Sequence, residues 1–200
     1  MILEGVPSGP YETNAYLVGC PVTRKCAVVD PSPGSASRLL SLIAQYNLIL
    51  DRVLLTHSHW DHIADAHCFD APLYVHRLDA PNLENPGADR LRSPVKIPGV
   101  KPAGFVSDGE RFTIGNLQVV VIHTPGHSPG AVCYYFPDEK VLLSGDTLFA
   151  GAYGILSLPT GEPAKMRTSL QKLGRLPPET RVYPGHGEAT TIGQERQLLE

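Results

Sequence analysis

The sequence predicts an α/β fold in which β-sheets are covered by helices. Short apolar runs recur along the whole chain, and two segments with a helical spacing of apolar residues stand among them. The 19 glycines and 19 prolines lie singly between these segments, as expected for many short elements joined by tight turns. An order of strands with interspersed helices is typical of sheets that carry helices on their faces.

The predicted strands are apolar runs bounded by Gly, Pro or Asp, several of them rich in Val and Tyr. In chain order they cover residues 15–18, 26–29, 53–55, 73–75, 117–122, 132–136 and 141–143, with a further strand at 181–183. Residues 137–140, Pro-Asp-Glu-Lys, have the composition of a hairpin turn between two of these strands.

Two helices are predicted, at residues 36–46 and 163–173, where apolar side chains recur at helical spacing and form one face. A shorter helix is predicted to begin near Asp61 and to run to Phe69. Residues 77–104 contain five prolines and are predicted to be irregular apart from one helical turn. That irregular segment could flank a pocket.

The length and composition predict one globular domain over residues 1–200. The chain is 42% hydrophobic and 18% charged, and neither a linker nor an internal repeat divides it. No segment approaches the roughly 20 apolar residues that a membrane helix needs, and the first residues lack the features of a secretory signal. We therefore expect a soluble protein in the cytoplasm.

The charge pattern argues against nucleic acid as a partner, and a small-molecule substrate is expected instead. The formal net charge is −3, and the Lys and Arg residues are scattered, so no basic surface for nucleic acid is expected. The four cysteines form no C-x-x-C pair and are expected to be buried free thiols. Both predicted helices use their apolar faces for the core, which leaves no visible interface and the oligomeric state open.

The densest group of metal-binding side chains directly follows the strand at residues 53–55. His57, His59, Asp61 and His62 fall within six positions, although the chain has only 8 histidines. If the backbone stays extended, the first two project to the same side, and a turn into a helix brings the other two to the same rim. Imidazole nitrogen and carboxylate oxygen both ligate zinc and iron. The density argues against a chance surface loop and predicts a site that could serve two metal ions.

Two later polar residues, Asp146 and His186, also stand just beyond apolar strands. A glycine precedes each of them, which permits close approach of the backbone to a metal. Taken alone, the aspartate could cap a helix and the histidine could lie on the surface. Together with the first motif they become candidate ligands.

For the remaining histidines and for Asp30, the neighbouring residues do not decide whether the side chain binds metal. His123 and His127 compete for one ligand position, and spacing alone does not choose between them. Asp30 ends a strand before a proline, so it could support the site or simply form a turn. His67 and His76 have no such context and are interpreted as structural.

Taken together, these motifs resemble the metallo-β-lactamase superfamily. The pattern H-x-H-x-D-H at residues 57–62 is the signature of that family. Residues 124–130, 144–149 and 184–187 are similar to its second ligand loop, its bridging-aspartate loop and its final histidine loop. The resemblance spans almost the whole chain and implies a four-layer αββα sandwich, in which two mixed β-sheets are flanked by helices.

The resemblance also implies a ligand set for two divalent metal ions. One ion would have the ligands His57, His59 and His127. The other would have the ligands Asp61, His62 and His186. Asp146 would bridge the two ions. The family pattern places the ligand after the Pro-Gly turn, which favours His127. His123 and Asp30 would then lie beside the ligands, where they could hydrogen-bond a ligand or the backbone. Zinc is the expected metal, with iron or manganese as alternatives.

Two ions of this kind imply a hydrolase. Ions about 3.5–4 Å apart can share a water whose pKa falls from 15.7 toward about 7, which supplies metal-bound hydroxide as the nucleophile. Asp61 would be catalytic, because it would both bind metal and help to orient that nucleophile. No serine or cysteine nucleophile is then required.

Within the superfamily, Asp146 and His62 resemble the glyoxalase II type more than true β-lactamases. Thioester hydrolysis, or hydrolysis of a related ester, is therefore the expected reaction. Two features depart from that type. The chain ends fourteen residues after His186, without the C-terminal helical region of glyoxalase II, and Ile155 stands where relatives commonly have a basic residue. The resemblance thus indicates the catalytic centre better than the specificity pocket.

Two other functions are weighed against the hydrolase. A persulfide dioxygenase-like enzyme would use one iron, for which His57, His127 and Asp146 could be the ligands. Those enzymes also bind glutathione, so Ile155 counts against them too. A non-catalytic binding module stabilised by metal is less favoured, because structural zinc usually needs only four ligands and seven candidates are present.

Overall fold

The computed structural model describes residues 1–200 and contains two six-stranded β-sheets. The first sheet has the order β1 (Ile2–Ser8), β2 (Thr13–Gly19), β3 (Lys25–Val29), β4 (Ile49–Leu54), β5 (Leu73–His76) and β6 (Gly104–Val106). The second contains β7 (Arg111–Ile114), β8 (Leu117–His123), β9 (Val132–Phe136), β10 (Val141–Gly145), β11 (Arg181–Pro184) and β12 (Thr190–Thr191), again in chain order across the sheet. Each sheet therefore comes from one contiguous half of the chain.

Both sheets are mixed. In the first, β3, β4, β5 and β6 are parallel, whereas β1 and β2 are antiparallel additions at one edge. In the second, β10 and β11 are parallel and all other neighbours are antiparallel. Because β8, β10 and β11 consequently run in the same direction, the loops that follow them leave the sheet at the same edge.

Helices cover the outer face of each sheet. They are α1 (Ala36–Gln45), α2 (Trp60–Ile63), α3 (Ala80–Glu84), α4 (Pro163–Leu173) and α5 (Arg196–Leu199), with a 3₁₀ turn at Ala66–Cys68. Leu39 and Leu42 of α1 pack against the first sheet. Met166 and Leu170 of α4 pack against the second. The two longer helices were both predicted, and α4 begins and ends where the sequence placed it.

Alternation of side chains along the strands produces four layers. Along β4, Val53 faces α1 and Leu54 faces the other sheet. Tyr134 and Val121 of the second sheet meet Leu54 in the cluster between the sheets. Leu142 of β10 points away from that cluster and packs with α4. The predicted arrangement of two mixed sheets flanked by helices is thus confirmed.

The helix predicted from near Asp61 to Phe69 is confirmed at its start, where α2 begins at Trp60, but its predicted end is wrong. Helix α2 ends at Ile63, and only a 3₁₀ turn follows it. The backbone N–H of Asp65 donates to Pro31 O at 3.0 Å rather than to a carbonyl within the segment. Its carboxylate accepts a hydrogen bond from Ala36 N at the start of α1. Tertiary hydrogen bonds therefore replace the helical ones.

The cysteines are unpaired, but they are not all buried. Cys20, Cys26 and Cys133 lie in the interior, whereas Cys68 is exposed, which corrects the expectation of four buried thiols. None of the helices combines the length and apolar character that crossing a bilayer requires.

Candidate metal centre

The candidate ligands lie where strand ends from the two sheets meet. Hydrogen bonds between the sheets fix this junction: Val132 N donates to Thr56 O at 2.8 Å. The Tyr134 hydroxyl donates to Leu55 O at 2.9 Å, and the Tyr16 hydroxyl donates to Pro184 O at 2.6 Å. The loops after β4, β8, β10 and β11 are thereby brought to one edge of the sandwich.

The first group of candidate ligands contains three buried histidines: His57, His59 and His127. One nitrogen of each ring lies within 4.8 Å of the corresponding nitrogens of the other two. His59 Nδ1 and His127 Nε2 are only 2.8 Å apart. The group draws two ligands from the loop after β4 and one from the loop after β8.

The second group contains one carboxylate and two histidines: Asp61, His62 and His186. Asp146 lies between the groups, with Oδ1 3.4 Å from His62 Nε2 and Oδ2 3.3 Å from His127 Nε2. The same Oδ2 is 3.5 Å from His186 Nε2. The structure thus brings all seven predicted ligands together.

Hydroxyl groups orient two of the histidine rings. Thr56 Oγ1 donates to Asp30 Oδ2 at 2.6 Å, so it accepts the hydrogen bond at 3.1 Å from His57 Nδ1. Thr160 Oγ1 donates to His127 O, so it accepts the hydrogen bond at 2.9 Å from His59 Nε2. Each ring is left with a lone pair on the nitrogen that faces the centre.

The other three rings are oriented by oxygens that can only accept hydrogen bonds. His62 Nδ1 lies 3.0 Å from Asp30 Oδ2, and His127 Nδ1 lies 2.9 Å from the backbone oxygen of Ile155. His186 Nδ1 lies 3.0 Å from the backbone oxygen of Tyr11. When neutral, all five rings therefore direct a lone pair at one small volume.

This donor set fits divalent metal ions. Three buried polar atoms, His57 Nε2, His62 Nε2 and Asp146 Oδ1, have no hydrogen-bond partner in the protein. Buried polar groups are usually paired, so a ligand from outside the chain would satisfy these atoms. In the tautomers described above, His59 and His127 place lone pairs only 2.8 Å apart, and a cation bound between the two rings would relieve their repulsion.

Burial keeps His57 and His59 of the first group neutral. Burial, reinforced by neighbouring His62 and His59, holds the pKa of His57 well below its ordinary value. Burial, followed by the effect of a charged His127, lowers the pKa of His59 to about 3. Both rings are consequently free of competing protons at neutral pH, which is the state that a metal requires.

The second group behaves differently because carboxylates surround its histidines. Burial opposes the charged form of His186, but Asp146 and Asp61 outweigh it and raise its pKa to about 9. The pKa of His62 lies well above its ordinary value, since the same carboxylates overcome burial. Burial likewise opposes ionisation of Asp61, yet His62 and His186 lower its pKa to about 2. Divalent metal ions would displace these protons.

Two glycines allow the backbone to approach the ligands closely. Gly145 has a φ of 48°, in the left-handed region, and a β-carbon there would overlap the side chain of Thr56. A β-carbon on Gly185 would overlap Asp146 Oδ1 and the ring of His62. At both glycines the backbone therefore packs against residues of the centre too closely for a side chain.

Asp30 contacts residues of the centre, whereas His123 lies outside it. Asp30 is buried and accepts hydrogen bonds from Thr56 N at 2.7 Å and from His62, so it supports two ligand-bearing segments. His123 does not reach the centre. Its Nε2 lies 3.0 Å from the backbone oxygen of Pro129, and its ring stacks on His76 with centroids 4.2 Å apart. It contacts the backbone of the loop that carries His127.

Asp79 was missed by the sequence analysis. Its Oδ2 accepts hydrogen bonds from Ser58 N at 3.0 Å and from Ser128 Oγ at 2.8 Å, and its Oδ1 accepts one from Gly130 N at 2.7 Å. Ser58 lies between two candidate ligands, and Ser128 follows a third. One buried carboxylate thus joins the two ligand loops. Its place just beyond β5, at a strand end, is the signal that could have identified it.

Thr13 of β2 was missed as well. Its hydroxyl donates to Asp61 Oδ2 at 2.8 Å, and both residues are buried. This hydrogen bond fixes the orientation of the carboxylate that the sequence analysis proposed as catalytic. No motif surrounds the threonine, so only the pairing of β2 within the sheet places it there.

A cavity of about 520 Å³ opens onto the centre. Its wall contains six hydrophobic side chains: Tyr11, Trp60, Leu91, Phe149, Ile155 and Leu158. The remaining lining residues are Arg92 and five candidate ligands. Leu91 and Arg92 belong to the irregular, proline-rich segment, which therefore flanks a pocket as predicted.

Comparison with known proteins identifies the family. The model of the metallo-beta-lactamase superfamily matches residues 8–186. The chain belongs to this superfamily. The matched region contains all seven candidate ligands and the strands from β2 to β11.

Relatives include metallo-hydrolases. The chain is 42% identical to the hydroxyacylglutathione hydrolase of Brucella anthropi over 88% of its own length and 61% of that protein. It is 34% identical to a probable metallo-hydrolase, YqgX, of Bacillus subtilis, over 96% of its length and 92% of that protein.

Solved structures agree with the fold and with a metal centre. BLEG-1 B3 metallo-beta-lactamase has a TM-score of 0.88 and 38% identity, covering 98% of this chain and 97% of that one. TTHA1623 in a di-iron-bound form has a TM-score of 0.82 and 37% identity, covering 98% of both chains.

Proposed function

We propose that this chain is a dinuclear metal-dependent hydrolase that acts on a thioester or a related ester. The observation that carries this proposal is the convergence of two ligand groups on opposite sides of Asp146. When neutral, the five rings direct lone pairs at the space between the groups, and three buried atoms lack partners there. A single ion would leave one of the two groups unused.

The chain's own residues would hold two cations and orient the reacting molecules. His57, His59 and His127 would bind one, and the second group would bind the other, with Asp146 between them. Metal ions at such a site lower the pKa of a bound water and polarise a carbonyl oxygen. The hydrogen bond from Thr13 holds Asp61 in one orientation, so its carboxylate can position the attacking water.

The pocket supports a thioester over a substrate with a poor leaving group. Apart from the metal ligands, its lining has no Asp, Glu, His or Lys, and the exposed hydroxyl of Tyr11 is the one remaining weak acid. A thiolate leaves without prior protonation, so it needs little help from a general acid. The similarity to hydroxyacylglutathione hydrolase supports the same class of reaction.

A mononuclear iron dioxygenase is the second candidate and is less favoured. It would use His57, His127 and Asp146 and would leave His62 Nε2 buried without a partner. The non-catalytic binding module is also less favoured, because the candidate ligands line a cavity large enough for a substrate.

We further propose zinc as the metal and a reducing compartment, the cytoplasm, as the location. Histidine and carboxylate ligands suit zinc. Iron remains the alternative, since TTHA1623 binds two irons, and manganese is a further one. The four unpaired cysteines support a reducing environment. The partner would be a small molecule, in keeping with the size of the cavity.

Metal content and turnover together test the proposal. The protein is analysed for zinc, iron and manganese and is assayed with a panel of thioesters before and after treatment with a chelator. About two ions per chain, and hydrolysis that the chelator abolishes and added metal restores, would support the hydrolase. About one iron per chain with oxygen consumption on a persulfide would replace it with the dioxygenase.

The substitution His59→Ala should abolish thioester hydrolysis and leave the far-ultraviolet circular dichroism spectrum unchanged. His67→Ala is the matched control, because His67 lies outside the centre and its hydrogen-bond partners are the Ala64 oxygen and Cys68 Sγ. Full activity of the His59 variant would refute the two-metal assignment. Asp61→Asn distinguishes the enzyme from the binding module. If the unaltered protein shows no turnover and the variant loses only metal or stability, the binding module is indicated instead.

A further inference from the structure

We propose that Arg92 forms an anion-binding subsite in the pocket and selects thioesters that carry one carboxylate on an otherwise apolar body. This inference rests on the proposed hydrolase function. It concerns the region of the pocket beyond the metal ligands.

The charge of the pocket wall is the first support. Arg92 is the only Lys or Arg that lines the cavity, and the only carboxylates there are Asp61 and Asp146. Both carboxylates face the candidate metal centre and are occupied with its histidines. Outside the centre, the pocket therefore presents a single positive charge and no negative one.

The second support is that the Arg92 guanidinium has no partner in the protein. The side chain is exposed, and it is absent from every salt bridge and side-chain hydrogen bond that the Lys and Arg residues form. Its five N–H donors are thus free. A guanidinium presents them in a planar fork that matches both oxygens of a carboxylate.

The apolar wall determines the rest of the substrate. Leu91 stands beside the arginine in the chain, and Phe149, Ile155 and Leu158 also line the cavity. A glutathione thioester would bring two carboxylates and an ammonium group, but this wall offers one cation and no free carboxylate for the ammonium. A compact apolar thioester with one carboxylate matches both the charge and the polarity of the wall.

The subsite would take no part in bond making. Hydrolysis adds the oxygen of water to the thioester carbonyl carbon and breaks the carbon–sulfur bond, which releases a carboxylic acid and a thiol. Arg92 would hold the substrate's separate carboxylate while this occurs. It is therefore a specificity residue, and its removal should raise KM and leave kcat nearly unchanged.

Paired substrates test the subsite. Two thioesters of the same apolar skeleton are used, one ending in a carboxylate and the other in the corresponding carboxamide. In Arg92→Gln we expect kcat/KM for the carboxylate to fall by about 10- to 100-fold, the range for a hydrogen-bonded charge, with no change for the carboxamide. Arg90→Gln is the matched control, since Arg90 is exposed on the same segment and lines no part of this pocket. Arg92→Lys should recover part of the loss.

A binding measurement separates this inference from the proposed reaction. The zinc-loaded protein is titrated with a thiol that ends in a carboxylate and with its carboxamide analogue. Tighter binding of the carboxylate, lost in Arg92→Gln, supports the subsite even if no thioester is hydrolysed, in which case only the reaction proposal fails. Equal binding of the two thiols, or an unchanged ratio in the variant, overturns the subsite. A glutathione thioester hydrolysed faster than every compact monocarboxylate would overturn the proposed substrate class.

Discussion

Replacing Asp79 by asparagine tests whether one buried carboxylate holds the two loops that carry three of the candidate ligands. The change conserves volume but exchanges an acceptor oxygen for an NH₂ group. Whichever way the amide is turned, the backbone N–H of either Ser58 or Gly130 then faces a donor. A buried N–H without a partner costs about 1–3 kcal/mol, and the free energy of unfolding should fall by that amount.

The effect on metal should exceed what lost stability explains. Because Ser58 lies between His57 and His59, a shift of its backbone moves both rings. Loss of a residue that orients metal ligands typically lowers metal affinity by about 10- to 100-fold, and we expect a change of that size for Asp79→Asn. Affinity is measured by competition with a chromophoric chelator, and stability by urea unfolding of the metal-free protein.

Glu195→Gln is the matched control. Glu195 is also buried, and its carboxylate accepts hydrogen bonds from Gly151 N at 2.8 Å and from Thr190 Oγ1 at 2.5 Å. Neither donor belongs to a candidate ligand. The control should lose stability and keep its metal affinity. If both variants bind metal as tightly as the unaltered protein, the connection between the loops has no influence on the centre.

Three further predictions concern the surroundings of the ligands. Gly185→Ala should lower the metal content found by elemental analysis, because its new methyl group would overlap Asp146; normal content would contradict the close approach. Thr56→Val removes the acceptor for His57 Nδ1 and should weaken metal binding about tenfold in the chelator assay, whereas unchanged affinity would show that the ring needs no support. The pKa of His186 is about 9 without metal, so the ring is protonated at pH 7 and the proton competes with a metal ion for its nitrogen. Affinity should therefore rise from pH 6 to pH 9 with proton release on binding, and a flat profile would contradict this.

Much of the centre could be predicted because its ligands occupy recognisable positions. His57, Asp146 and His186 each follow a short apolar strand. The parallel strands β10 and β11 bring Asp146 and His186 to one edge of the second sheet, and the packing of the two sheets brings the end of β4, with His57, to the same place. The choice between His123 and His127 could not be made from spacing. It depended on a resemblance, and the structure places the second of them beside the other rings.

The supporting residues could not be predicted because their partners are distant in the sequence. Asp79 bonds a residue 49 positions away, and Thr13 bonds one 48 positions away. No local pattern records such contacts. The sequence analysis also missed four strands, β1, β6, β7 and β12. All four lie at sheet edges, and the last three have only two to four residues, so their apolar patterns are weak.

The division of the chain into two sheet-forming halves sets the order in which the two proposed ligand groups can be completed during synthesis. The first half contributes His57, His59, Asp61 and His62, but neither ligand group is complete within it. His127 and His186, one for each group, are translated only with the second half. A ribosome-bound chain therefore completes neither of these two groups until its second sheet has emerged and docked, so a two-ion centre built from them would form only after both sheets have assembled.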